Sequence, residues 1–376
     1  MRDSDTGLCR WKSKRVSTVH NGTQELQQYQ SFLQRKRAAL SLALLITILA
    51  AILYMTIGSM RLTPADIFRV FLGTAEKKHV TAVKNIRLPR VLAAIVIGAV
   101  LASSGTVMQC VLRNPLASAS TLGVSQGAAF GAAIGIIVFG GGMITNSNSN
   151  STVAVNNPYI VTVCAFVFGS VSSLVVIAIS RWRRGIGPGG LVLAGTALSA
   201  MFTGGSTLLQ YFADDTSLGA VVFWTFGNLG NVGWKDLRFL SAVFLLCFSF
   251  CFFNRWNYNA MEAGFDTAKS LGVNAHHLML ASMAVCSLSA AAAVSFAGII
   301  SFVGLIAPHL MRFFVGNDHR YLIPGSAICG SLLLILADAA AKLIDPPVIL
   351  PIGAIMSFVG GPVFLILLFR GRKEND

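Results

Sequence analysis

Charge is what this sequence has least of. Only 12% of its 376 residues are Asp, Glu, Lys or Arg, against 54% hydrophobic, whereas a soluble domain carries about 25% charged residues. Too few polar side chains remain to cover an aqueous surface, so most of the outside must face lipid. Acidic residues are the scarcer sign, 15 against 29 basic, for a net charge of +14. The excess does not describe a nucleic-acid binder, because Lys and Arg sit at the ends of apolar runs and not along one stripe; no nucleic-acid partner is expected.

Paired cysteines are also missing. Cys9, Cys110, Cys164, Cys247, Cys251, Cys286 and Cys329 are scattered, six of them in apolar runs, with no CxxC or Cys/His ligand spacing. They read as small packing residues, with no disulfide, metal or cofactor expected. A phosphate-cradling G-x-x-x-x-G-K-[ST] loop is absent as well. The nearest approach, Gly264 to Ser270, lacks the second glycine that would let backbone amides surround phosphates, so the chain is not its own ATPase. Neither a His/Glu/Cys set at metal spacing nor a placeable Ser/His/Asp set appears, and an enzyme is not expected. No small-residue cleavage site follows an apolar core in the first 37 residues, so no removable signal peptide is expected there.

Long apolar runs dominate what remains. They span about 38 to 58, 91 to 111, 121 to 141, 158 to 180, 190 to 212, 237 to 254, 278 to 297, 299 to 315, 322 to 341 and 349 to 369. Each is long enough, at about 1.5 Å per residue, to cross or nearly cross about 30 Å of hydrocarbon. The expected fold is therefore all-α and polytopic, with about ten transmembrane helices in a membrane domain over 38–376 behind a basic tail at 1–37. Gly298 and a tight turn are needed to separate the seventh and eighth runs. With ten spans both termini lie on one side, and the bias of Lys and Arg makes that side cytoplasmic, in a cell membrane. Seven exceptions, Arg61, Arg69, Lys77, Lys78, Lys84, Arg87 and Arg90, crowd the first outer loop, where a cationic patch suits an acidic partner. That loop also holds Thr63-Pro64-Ala65-Asp66, a helix start. Gly140 to Asn157, uncharged and rich in Gly, Asn and Ser, is expected to be a flexible outer loop.

One polar island stands between apolar runs at 257–277. Met261, Phe265, Ala268 and Leu271 recur at i, i+4, i+7 and i+10, which predicts one short helix with an apolar face, ended by Gly272. Asn274 can cap the next helix. Such a ledge suits a docking partner, or it is an ordinary ordered loop. Thr196, Ser199, Thr203, Ser206 and Gln210 share a helix face and either line a path or pack helices together. His309 after Pro308 reads as a packing histidine, and Asp338 as a structural carboxylate near the outer surface or paired. Lys342, four residues on, could satisfy it.

Several stretches together resemble the permease subunits of ABC importers for iron-siderophores, haem and cobalamin: Arg87-Leu88-Pro89-Arg90, Arg113-Asn114-Pro115-Leu116-Ala117, Leu122-Gly123-Val124-Ser125, Leu271-Gly272-Val273, Phe302-Val303-Gly304-Leu305, Asp318-His319-Arg320, Leu336-Ala337-Asp338 and Leu350-Pro351-Ile352-Gly353. The resemblance runs from about residue 40 to the C-terminus. It implies two permease subunits, identical or homologous, around a central path, two ATP-binding subunits inside, and an extracytoplasmic substrate-binding protein. It assigns the ATPase-coupling loop to Ala260, Met261, Phe265, Asp266, Ala268, Leu271 and Gly272, although members often carry an acidic residue where Phe265 stands. Arg87, Arg90 and Lys342 become receptors for glutamates of the binding protein, with headgroup anchoring the plainer reading for the two arginines and pairing with Asp338 for Lys342. Thr196 to Gln210 become the path, and Pro188 and Gly189 a gate without hydroxyl side chains. The implied function is uptake of a ferric siderophore or related chelate, driven by a separate ATPase. An ion-coupled secondary transporter is the alternative, with only Asp338 and His309 as midplane ionisable groups.

Overall fold

The computed structural model describes the backbone of residues 5–58, 60, 62–140, 142–147, 150–155, 157–182, 187–344 and 350–371, and side chains at 30–58, 60, 62–140, 157–182, 187–344 and 350–366. Among these residues the apolar runs become ten helical spans, seven long and three shorter. In chain order the α-helices are α1 (Asp5–Thr56), α2 (Pro64–Leu72), α3 (Lys77–Val80), α4 (Leu88–Val111), α5 (Val124–Ala133), α6 (Pro158–Trp182), α7 (Pro188–Tyr211), α8 (Asp215–Thr225), α9 (Trp234–Phe253), α10 (Arg255–Glu262), α11 (Phe265–Ser270), α12 (Ala275–Ala297), α13 (Val303–Val315), α14 (His319–Leu343) and α15 (Ile352–Gly371).

Helix α4 is the axis. It is almost wholly buried, between α14, α12, α13 and α9. Lipid tails offer no hydrophobic drive between helices, so close packing must come from backbone approach. Glycine supplies it: a methyl group on Gly105 would fall 1.9 Å from the carbonyl oxygen of Gly304 in α13, and one on Gly98 would fall 2.4 Å from that of Gly330 in α14.

Several local readings hold. Thr63 caps α2 in a box with Asp66, and Asn274 caps α12 through the His277 N–H at 3.2 Å. Gly298, at φ +74, ends α12, and four residues more suffice to start α13. Four differ. The second span begins well before residue 91, because α3 continues through a π-helical stretch, Thr81–Arg87, into α4. Pro89 has no N–H for the turn behind it, and the chain answers with wider turns, the Leu88 N–H reaching the Val83 oxygen. Helix α8 falls in what the sequence left as an outer connection; Asp214 caps it through the N–H groups of Thr216 and Ser217, both at 3.1 Å. Gly142–Ser147 and Asn150–Val155 pair as an antiparallel hairpin, β1 and β2, in place of the expected irregular loop. Ile144, Thr145, Thr152 and Val153 are β-branched, and their preference for strands outweighs the Asn/Ser composition around them. The fourth difference, in the 257–277 ledge, concerns the site.

Candidate functional site

Three places hold the residues singled out by sequence. At one end of the bundle, α1, the π-helical stretch, α4 and α14 bring Tyr54, Arg87, Arg90, Asp338 and Lys342 together. Asp338 is fully buried, and a buried carboxylate is tolerated only with partners. Arg90 supplies a fork, Nε to Oδ2 at 2.8 Å and Nη2 to Oδ1 at 2.6 Å. The Tyr54 hydroxyl donates to the same carboxylate, the Lys342 ammonium donates to the Tyr54 oxygen, and Lys342 Nζ lies 3.9 Å from Asp338. Arg87 donates to the backbone oxygens of Met55, at 2.6 Å, and Met60. The resemblance offered Arg87, Arg90 and Lys342 to glutamates of an outer partner, and within this chain all three already hold partners, Lys342 lying beside Asp338 as its spacing suggested. The two arginines are 5% and 7% exposed, and each of the three cations donates to a group within the chain. Exposed lysines lie nearby instead. Lys77, Lys78 and Lys84 stand on the helical approach to α4, and Lys235 opens α9. The Trp234 ring N–H donates to the Lys84 oxygen at 3.1 Å and ties those two segments together.

At the opposite end the ledge is two helices, not one. Gly264, at φ +123, breaks it between α10 and α11, a backbone conformation that L side chains rarely adopt. Met261 and Ala268, placed on the presumed docking face, are 1% and 0% exposed and pack with Leu112, Ala275 and Met279. Ala260 is half-buried, and Phe265 is half-buried beneath the Arg113 guanidinium. Asp266, Leu271 and Gly272 are exposed, Leu271 by 68%. Only part of the period survives the break: Met261 and Ala268 mark the face that holds the ledge down, and Leu271 lies outside it. Among the ledge's anchors, Tyr258, Asn259 and Ser282 carried no signal in the sequence. The Tyr258 hydroxyl meets the Ser282 hydroxyl at 2.9 Å. Asn259 donates to Asp318 at 3.0 Å and accepts from the His319 backbone N–H at 2.8 Å. Burial works against ionisation of Asp318, but bonds from Arg320 and Asn259 outweigh it and hold the carboxyl at about 2. An Asp before an apolar helix is an N-cap signal that could have found this junction.

The third place is α7. Thr196 and Thr203 are exposed, and Ser199, Ser206 and Gln210 half-buried. The hydroxyls bond carbonyl oxygens of their own helix, from Thr196 to Leu193 and Ser199 to Gly195 at 2.8 Å, and from Thr203 to Ser199 and Ser206 to Phe202 at 2.9 Å. The four hydroxyls of this polar face are thus each satisfied within α7. Pro188 is the first residue of α7 and Gly189 is exposed beside it. His309 packs edge-on to Phe313 and Phe364, ring centroids 5.9 and 6.4 Å apart.

The family model described as the FecCD transport family matches residues 44–370. The chain belongs to that family. Over 349 residues it is 44% identical to a Methanocaldococcus jannaschii chain whose name goes no further than ABC transporter permease, covering 93% of this chain and 99% of that one. It is 35% identical over 292 residues to the hemin transport system permease HmuU of Yersinia pestis, covering 78% and 84%. It is also 30% identical over 345 residues to the Fe(3+)-citrate import permease YfmE of Bacillus subtilis, covering 91% and 98%. A solved transporter described as of metal-chelate type, in an inward-facing conformation, superposes with a TM-score of 0.76 at 29% identity, covering 88% of this chain and 98% of the other. This FecCD chain is a multi-span membrane protein of the ABC-permease kind.

Proposed function

We propose that this chain is the membrane subunit of a binding-protein-dependent ABC importer that carries a ferric siderophore or a related metal chelate, such as haem or cobalamin, into the cytoplasm. The observation that carries the reading is the FecCD match across residues 44–370, joined by relatives named for hemin and ferric citrate. In this reading both termini are cytoplasmic and the α10–α11 ledge faces one of two ATP-binding subunits, which supply the energy. A second permease, identical or homologous, completes the path along α7. An extracytoplasmic binding protein meets the opposite end, where Lys84 and Lys235 offer exposed cations. Ion-coupled transport finds little support: it needs an ionisable group free to exchange, and Asp338 is held by Arg90 and Tyr54. Uptake of radiolabelled ferric hydroxamate, ferric catecholate, haem and cobalamin by cells lacking the chain, and by the same cells complemented with it, tests the proposal. One rescued chelate, with rescue dependent on ATP, is the expected result. Rescue that survives ATP depletion and collapses with an ionophore overturns it.

A further inference from the structure

The fold brings together donors that the sequence holds far apart. One ligand atom each from Cys110 at the end of α4, Glu262 at the end of α10 and His319 at the start of α14 lie within 4.8 Å of one another. Cys110 and His319 are 2% and 0% exposed, and Glu262 opens the group to solvent. His319 Nδ1 lies 2.9 Å from Asn259 Oδ1, an oxygen that can only accept, so Nδ1 carries the proton and Nε2 the lone pair. Among the described residues that Nε2 is buried without a hydrogen-bond partner. A histidine held in one tautomer by an amide oxygen, its other nitrogen bare beside a thiol and a carboxylate, is the arrangement of a metal ligand with its supporting shell. Asn317 donates to Glu262 Oε1 at 3.2 Å and leaves Oε2 available.

We propose that Cys110, Glu262 and His319 form a binding site for a borderline divalent cation of the zinc class. Tetrahedral zinc holds S, N and O donors about 3.3 to 3.8 Å apart, a spacing the exposed Glu262 side chain can reach by rotating inward. Binding takes one proton off the Cys110 thiol, which now donates to the Tyr258 backbone oxygen at 3.5 Å, and leaves one position for water. Arg312, which donates to Gln109 at 2.6 Å, stands close enough to act on all three groups. Its charge opposes a cation held by electrostatics alone, so magnesium and calcium are excluded, and the thiolate and imidazole select softer ions. The bound ion ties α10 to α4 and α14 and so locks the ledge. Binding stands apart from the import reading; arrest of transport rests on it.

Cobalt(II), titrated into the purified full-length chain and then displaced by zinc, reads the site directly. We expect one ion per chain, four-coordinate d–d bands with sulfur-to-cobalt charge transfer, and one proton released. Glu262→Gln, on the exposed side of the group, is expected to bind at least tenfold more weakly, and Cys110→Ser to lose the charge-transfer band. Cys286→Ser is the control, because Cys247, Cys251 and Cys286 also gather their sulfurs within 4.8 Å, in another cluster between α9 and α12. No cobalt bands in the wild type, or bands lost in Cys286→Ser and kept in Glu262→Gln, overturn the proposal. In the assembled transporter, zinc is expected to slow ATP hydrolysis several-fold for the wild type and not for Glu262→Gln. If the cobalt spectrum is as expected while hydrolysis is unmoved, the lock on the ledge is wrong and the site remains.

Discussion

Asp338 decides how its end of the molecule is built. It is the one carboxylate among three cations, and it has no exposure to water. Removing one member of such a group leaves charge buried without a partner, at a cost of about 3–5 kcal/mol, whereas replacing both members by apolar residues can be neutral. Asp338→Asn is therefore expected to lower the unfolding midpoint of the detergent-solubilised chain sharply, and Arg90→Met with Asp338→Leu to recover most of the loss. An Asp338→Asn protein as stable as the wild type would mean that the fork is ornamental. The sequence showed that Arg90, Asp338 and Lys342 mattered, and spacing alone paired Lys342 with Asp338. It could not show that Arg90, 248 residues away, fills the same carboxylate. Charged residues in apolar runs are legible as exceptions, but their partners are set by packing.

At the scale of elements, the ledge shows how one pattern can be read with the wrong polarity. A helical period of apolar residues reports a buried face, and burial against the chain itself looks the same in sequence as burial against a partner. Met261 and Ala268 face inward, while Asp266 and Leu271 face out. The two sets must behave differently. Leu271→Glu is expected to leave the stability of the isolated chain unchanged and to abolish co-purification with an ATP-binding subunit. Met261→Glu is expected to destabilise the isolated chain itself, because a carboxylate would replace a thioether that is 1% exposed. Normal co-purification of Leu271→Glu would remove the exposed cap that follows α11 from the coupling role. The hidden elements have a common cause too. Helix α8 and the β1–β2 hairpin lie in connections, where strand or helix preference competes with composition over few residues.

At the scale of the molecule, all ten spans were readable because lipid demands long apolar runs, and a single such run satisfies its own backbone groups only as a helix. What those runs do not state is which surfaces meet lipid and which meet protein or water. Burial and polarity together answer for α7. The apolar spans ending at Thr56 in α1 and at Tyr211 in α7 bury only about a fifth of their most apolar stretch inside the chain. Yet α1 is among the most apolar of the seven long spans and α7 the least. A helix equally bare but less apolar is poorly suited to lipid on its open side, so that side belongs against a second permease or a watered path. The two fates separate by side-chain size. Thr203 is exposed, four residues from Ser199 and three from Ser206, in the middle of the polar face. If that face lines the path, Thr203→Trp is expected to cut chelate uptake more than tenfold while the transporter assembles in normal amount. If it is a packing face, the same change is expected to reduce recovery of the second permease with this chain, and uptake per assembled complex will stay near the wild-type value.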